Sequence, residues 1–273
     1  MNEALKTILL QTKKDIFLNN FALLESKLGG DGLEFFDIKE YESSDAITHL
    51  NATATAKTRR PHVNIFTKEL DIKVTLIVLV SASMLYQNKL LKLQELVGAL
   101  SFVAINTKNS LEILFFSNKI ERFFKATKSS YAIARAFRAV QEIDYSYKKV
   151  DFLALKNFLM EQKKGSKVFL LGDFLEFASL SPAHIKHDLS AFVIRDRTEE
   201  ELSFLGEYTI ASLEEKQTLT TTIDKTLQKR YQKAFREYEK KLFEEFKAMQ
   251  LPFVKLYEDE SVTQKIKELL WKI

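Results

Sequence analysis

Lys73–Tyr86, KVTLIVLVSASMLY, is the stretch on which the fold turns. Val74, Thr75, Leu76, Ile77, Val78, Leu79 and Val80 form a β-branched, near-continuous apolar run. A strand with one wet face alternates apolar and polar residues. This one does not, which predicts a strand covered on both faces at the centre of a mostly parallel sheet. The run stops at Ser81-Ala82-Ser83, and Leu90–Ile105 then carries Leu93, Leu96, Val97, Leu100, Val103 and Ala104 at helical spacing. In an open α/β sheet, the loop leaving the carboxyl end of such a strand is where ligands bind.

Downstream, the pattern of short apolar runs and helical stretches repeats. Leu111–Phe116 reads as a second buried strand, Lys119–Lys128 as a polar-aromatic hairpin or loop, and Tyr131–Ile143 and Val150–Gln162 as helices. Lys167–Leu171 is a third buried strand, ending at Gly172-Asp173. Leu180–His187 is a brief helix opened by Ser181-Pro182, and Ser190–Ile194 a fourth strand. Asp224–Met249 is a long helix with Leu227, Tyr231, Phe235, Tyr238, Leu242, Phe246 and Met249 on one stripe; Phe253–Tyr257 and Val262–Leu270 close the chain as strand and helix. Strands alternating with helices predict right-handed crossovers and an α/β, doubly wound, mostly parallel sheet.

Upstream of the central strand the signals are weaker. Met1–Leu28 carries apolar residues at helical intervals and predicts one or two amphipathic helices ending at Gly29-Gly30. Gly30-Asp31-Gly32 is a turn, Leu33–Tyr41 a short strand or extended arm, Asp45–Arg60 a polar stretch closed by Pro61, and His62–Phe66 an edge strand. The expected division is an N-terminal helical and extended segment over 1–70, packing on a main domain over 71–273.

Composition narrows the class. Hydrophobic residues are 46% and charged residues 29% of the 273, with 7 Gly and 3 Pro, which argues against long low-complexity segments. There is no cysteine, so disulfides and thiolate metal sites are excluded and a reducing cytoplasm fits. The first residues bring acid early and lack a signal peptide's apolar core. The longest apolar run, Val74–Tyr86, falls short of the ~20 residues that a spanning helix needs, so no membrane insertion is expected. The net charge of +4 comes from 41 basic and 37 acidic residues, mostly interleaved, which argues against a dedicated nucleic-acid binder.

Ser81-Ala82-Ser83-Met84 after one buried strand, with Gly172-Asp173-Phe174 after another, resembles a von Willebrand factor A-type domain. Gly30-Asp31-Gly32-Leu33-Glu34-Phe35, then Ile38-Lys39-Glu40-Tyr41 and Asp45, is similar to the segment preceding that domain in a bacterial family of unassigned function. Members of that family are commonly encoded beside MoxR-type AAA+ ATPases. The resemblance runs from about residue 28 to the end. It implies a von Willebrand factor A-like fold and a protein partner, with a MoxR-type AAA+ ATPase the candidate. It also implies a metal-ion-dependent adhesion site of pattern Asp-x-Ser-x-Ser, in which Ser81 and Ser83 are kept and Leu79 stands at the aspartate. Asp173 stands at the last acidic position, and Val150-Asp151 at a Thr-Asp pair. In the upstream segment Thr48, Asn51 and Ala52 replace the family's Arg, Asp and Trp.

Mg²⁺ is usually held by one or two carboxylates plus waters, so Leu79 removes an anchor. The expectation is a degenerate site over Ser81, Ser83, Asp151 and Asp173 that binds a ligand or partner and holds no metal or other cofactor, with helix capping by the two serines the competing reading. Millimolar Mg²⁺ should leave the melting temperature unchanged. Leu79→Asp should create Mg²⁺-dependent stabilisation if the loop geometry is intact. Other chemistry finds less support. Ser81 lacks the G-x-S-x-G elbow of an acyl-transfer nucleophile, and His184 with His187 lacks further zinc ligands and reads as a solvated pair. Asp196, in Ile194-Arg195-Asp196-Arg197, reads as part of a salt-bridged surface loop. The basic positions of the long helix, Lys225 to Lys241, interleave with acids and offer a solvated or partner-binding face. The function expected is a non-catalytic interaction module, with a metal-dependent hydrolase using Asp151 and Asp173, or a nucleic-acid-binding protein, as the alternatives.

Overall fold

A strand apolar on both faces needs a layer of helices on each side. The computed structural model describes residues 33–42, 45, 47–68, 72–164, 166–202, 204–213 and 218–272. The helices expected over Met1–Leu28 and the turn at 30–32 lie outside the described residues. The first described elements are β1 (Leu33–Glu40) and β2 (His62–Lys68), which pair antiparallel in a sheet of their own, with α1 (Ala52–Thr58) between them. So β2 is not an edge of the main sheet, and the polar stretch contains a helix. That helix is set by its cap and has no apolar stripe to announce it. The Asn51 Oδ1 accepts from the Ala54 N–H at 2.9 Å, while its Nδ2 donates to Asn64 Oδ1 at 2.7 Å.

The main sheet follows. Its elements are β3 (Lys73–Leu79), α2 (Lys89–Asn106), β4 (Ser110–Phe116), β5 (Ile120–Thr127), α3 (Tyr131–Glu142), α4 (Phe152–Glu161), β6 (Lys167–Gly172), α5 (Ala183–Lys186) and β7 (Asp188–Arg195). Next come α6 (Arg197–Glu201), a hairpin of β8 (Gly206–Ala211) and β9 (Thr218–Ile223), α7 (Lys225–Ala248), β10 (Phe253–Tyr257) and α8 (Val262–Lys272). The six strands lie in the order β10-β7-β6-β3-β4-β5, parallel throughout except β5, which runs antiparallel to β4. This is the expected α/β, doubly wound, mostly parallel sheet. Lys119–Lys128, expected as a hairpin or loop, supplies its antiparallel edge.

Strand alternation divides the core. Val74, Leu76, Val78 and Val80 face one layer with α2, α3 and α8, where Leu96, Leu100, Val140 and Ile266 pack. Ile77 and Leu79 face the other, with Leu155 of α4 and Leu242 and Phe246 of α7. Both faces are therefore dry, as the unbroken apolar run requires. The chain builds outward from β3 through β4 to β5, then returns to lay β6 on the other side of β3. The order reverses between β3 and β6, and ligand crevices of doubly wound sheets lie at the carboxyl ends of such a pair. Here those ends are Val80-Ser81 and Gly172-Asp173.

Candidate functional site

At the reversal point the two strand ends approach so closely that a Cβ on Gly172 would meet the Leu79 Cβ at 2.7 Å. Only glycine fits beside Leu79. The chain then turns sharply: Phe174 adopts a left-handed φ of 55°, a conformation that costs a bulky residue of order 1–3 kcal/mol. The surroundings hold it there, since its ring stacks on Phe152 at 6.0 Å and meets Phe246 edge-on at 5.4 Å. Its carbonyl accepts from the Tyr238 hydroxyl of α7.

This geometry brings Ser81, Ser83 and Asp173 together. The Ser83 Oγ donates to Ser81 Oγ at 3.0 Å, and Ser81 Oγ donates to Asp173 Oδ1 at 3.3 Å. Neither hydroxyl caps a helix, so the capping reading of the serines fails. Asp151 is elsewhere engaged: its Oδ1 accepts from the Leu153 and Ala154 N–H groups at 2.9 and 3.0 Å, capping α4. Replacing Asp151 by Ala is therefore expected to cost about 1 kcal/mol of stability, the usual value of such a cap. Urea denaturation measures it, and a neutral result would show that the cap is dispensable.

The residue that dominates the site was not apparent in the sequence. Lys89, fully buried at the start of α2, places its Nζ 3.0 Å from Asp173 Oδ2 and 2.7 Å from Glu199 Oε1 of α6. A second cation stands behind it. Arg195, also 0% exposed, donates through Nη1 to the Asp173 carbonyl and through Nε to Glu239 Oε1 at 3.2 Å. Lys255 extends the chain of charges, reaching Glu239 at 2.8 Å and Glu200 at 2.5 Å. The segment Ile194-Arg195-Asp196-Arg197 is thus not a surface loop. Asp196 is 3% exposed and forms a capping box with Glu199 at the head of α6. The alternating charges that suggest a solvated loop are divided between the interior and the rim. His187 is likewise buried: Nδ1 lies 3.0 Å from Ser166 Oγ and Nε2 2.8 Å from the Leu159 carbonyl, so the expected solvated histidine pair is corrected.

Burial pushes the Asp173 carboxyl up, but the adjacent Lys89 and Arg195 charges pull it down further, and the net position is below the ordinary carboxylate value. A carboxylate with a depressed folded pKa contributes stability above its unfolded value, near pH 3.9, and that contribution disappears as pH falls through the folded value. The stability gap between wild type and Asp173→Asn should accordingly be full at pH 7 and shrink below about pH 4. Urea midpoints across that range test it; a gap independent of pH would show that Asp173 gains nothing from its cations. Tyr231 and Tyr238 are both pushed up to about 12 by burial, so they remain hydroxyl donors to the Glu199 and Phe174 carbonyls.

These residues are a poor fit to a divalent cation. One Asp173 oxygen faces an ammonium, the other accepts from Ser81, Leu79 carries no oxygen, and the space beside Ser81, Ser83 and Asp173 is about 10 Å³, that of a single water. Among the described residues no three His, Cys, Asp or Glu side chains converge as a metal-binding group.

A family of unknown function, DUF58, matches residues 37–241, most of the chain. The chain belongs to this family. Among solved structures, this DUF58 protein is similar to a conserved hypothetical protein, BatB, from Bacteroides thetaiotaomicron, at 13% identity over 74% of this chain and 98% of that one, with a TM-score of 0.45. An aerotolerance-related membrane protein from Bacteroides fragilis matches at 12% identity over 74% of this chain and all of that one, with a TM-score of 0.44. A von Willebrand factor type A protein from Catenulispora acidiphila matches at 11% identity, over 76% of this chain and 43% of that one, with a TM-score of 0.35. No curated protein matches the chain. Among the described residues no helix is long and apolar enough to cross a membrane.

Proposed function

We propose that this DUF58 protein is a non-catalytic protein-interaction module of the cytoplasm. In this reading it acts with a MoxR-type AAA+ ATPase in assembling or remodelling another protein and carries a degenerate metal-ion-dependent adhesion site. One observation supports the non-catalytic reading: the acidic residue at the reversal point is buried against Lys89, in a space of about 10 Å³. A catalytic carboxylate or metal ligand needs access to substrate, and Asp173 has none. The rival hydrolase reading needs Asp151 beside Asp173, and the Asp151 side chain instead caps α4. The resemblance of Gly30–Asp45 and Ser81–Met84 to a family encoded beside such ATPases supports the partner.

The test is a pulldown with the full chain from its native cytoplasm, read by mass spectrometry. Recovery of an AAA+ ATPase is the expected result. Recovery of nucleic acid alone, or metal-dependent hydrolysis of a phosphoester or peptide substrate that Asp173→Asn abolishes, would overturn the proposal.

A further inference from the structure

The antiparallel edge of the main sheet carries an open pocket remote from the reversal point. A space of about 340 Å³ lies between β5, the start of α3 and the amino-terminal half of β4. That volume is at the lower end of the roughly 300–1,000 Å³ of ordinary ligand pockets. Leu111 and Ile113, alternate residues of β4, share one sheet face and floor it, and Phe124, the cross-strand partner of Ile113, stands beside them. Leu111 pairs with Val74 at the start of β3, whereas Ser81 follows the end of that strand, so the two spaces lie towards opposite ends of the sheet.

The polar part of the wall consists of donors. Arg135 sets its guanidinium over the Phe124 ring, 4.9 Å from the centroid. Stacking uses the flat face of the guanidinium and leaves its in-plane N–H fork for an oxyanion. Lys125 lines the pocket from a bulge, where β5 advances from Phe124 to Thr127 while β4 advances only from Ile113 to Leu111. Thr127 Oγ1 accepts from the Ser129 N–H at 3.1 Å, and Ser129 Oγ accepts from the Tyr131 N–H at 3.3 Å. Among the described residues neither hydroxyl proton has an acceptor of its own, so both remain to be donated.

Nothing acidic answers these cations. Among the described residues no carboxylate lines the pocket, and Arg135 and Lys125 have no carboxylate partner. Glu121 of β5 and Glu142 of α3, the acids of the two flanking elements, are engaged by other cations: Lys148 at 2.6 Å and Arg122 at 2.7 Å. A neutral or cationic ligand would leave the positive charge uncompensated, whereas an oxyanion meets it with charge-assisted hydrogen bonds. The bulge and the charged residues of β5 disfavour addition of a peptide strand to this edge, so the occupant that the geometry selects is a small molecule.

We propose that this pocket binds a small amphipathic anion, an aromatic or aliphatic body carrying a carboxylate or phosphate, with the body against Leu111, Ile113 and Phe124 and the oxyanion on the Arg135 guanidinium. The proposal is independent of the interaction reading: the pocket lies away from the serine–aspartate loop, and neither needs the other.

Saturation-transfer difference NMR on the full chain tests it, with 3-phenylpropionate and phenyl phosphate as probes. At least one should bind with a Kd on the order of 1 mM or below, the range that an acid of this size reaches, and the tighter of the two identifies the oxyanion. Arg135→Ala should weaken that binding about ten-fold and Arg135→Lys less, because lysine keeps the charge and loses the fork. Ala132→Phe, which adds bulk to a lining residue, should abolish it. Arg135 is exposed, and an unchanged melting temperature would confirm that its variants fold. The neutral analogue 3-phenylpropanol, and acetate, an anion with almost no apolar body, should each bind about ten-fold more weakly or worse. Failure of both probes to bind, equal affinity of 3-phenylpropanol or acetate, or equal affinity of Arg135→Ala would overturn the proposal. So would an extended peptide ending in phenylalanine that binds more tightly with each added residue, since that marks strand addition at the β5 edge.

Discussion

Lys89→Met is expected to lower stability by about 3–5 kcal/mol, the cost of removing one member of a buried charge cluster and leaving the others uncompensated. The Lys89 side chain is 0% exposed and its ammonium serves two carboxylates, Asp173 at 3.0 Å and Glu199 at 2.7 Å. Methionine matches the length of the stem, so the loss measures charge and hydrogen bonding more than packing. A destabilisation of that size corresponds to a fall in Tm of roughly 10 °C for a domain of this length. Its pH dependence distinguishes the cause. Without the ammonium, the buried Asp173 carboxylate is easier to protonate, so the deficit should narrow as pH falls towards the carboxylate range. Adding Asp173→Asn and Glu199→Gln to Lys89→Met should recover part of the loss, because neutral amides carry a smaller desolvation penalty than unpaired carboxylates. Equilibrium urea unfolding measures all three effects. A Lys89→Met variant within 1 kcal/mol of wild type would show that Arg195 alone neutralises the site.

The cluster also explains why the site was only half legible in the sequence. That Ser81 and Asp173 meet follows from two apolar runs, Val74–Val80 and Lys167–Leu171, each ending at a polar step: parallel strands side by side put their carboxyl ends side by side. The long stripe on α7 was legible for the same reason, since Leu242 and Phe246 fall at helical spacing and are buried. Lys89, Arg195 and Asp196 carried no such mark. A buried cation and a solvated one have the same letter, and only the arrival of Glu199, Glu239 and Asp173 from distant segments decides between them. The β8–β9 hairpin was missed because β9 is largely polar, TLTTTI, and lacks the apolar alternation that marks a strand packed on a core. The helix at Ala52–Thr58 was missed for the corresponding reason, its local cap outweighing an absent stripe.

Leu79→Asp is expected to destabilise the protein by more than about 4 kcal/mol, and Mg²⁺ is expected to restore none of it. From the sequence alone, an aspartate at this position completes the Asp-x-Ser-x-Ser pattern and should recover metal-dependent stabilisation. The structure changes that expectation. Leu79 is 0% exposed, belongs to the apolar layer with Phe116, Phe152 and Phe174, and presses on Gly172 closely enough to exclude any side chain there. Substitution removes a buried leucine, with losses of about 2–5 kcal/mol for truncations of that kind, and adds the desolvation of a carboxylate. Mg²⁺ would have to displace the Lys89 ammonium from Asp173, or share the carboxylate with it, in a space the size of one water. Two cations cannot share that position in a low-dielectric setting without strong repulsion. A ligand stabilises only as RT ln(1 + [L]/Kd), so a site with so weak an affinity gives well under ~1 kcal/mol at millimolar Mg²⁺ in the variant and in wild type alike. Thermal melts of both proteins with and without Mg²⁺ decide the matter. A Mg²⁺-dependent rise in the Tm of Leu79→Asp would mean that Lys89 leaves Asp173 readily and that the loop still accommodates a metal. A comparable rise in wild type, abolished by Asp173→Ala, would restore metal chemistry to the native site.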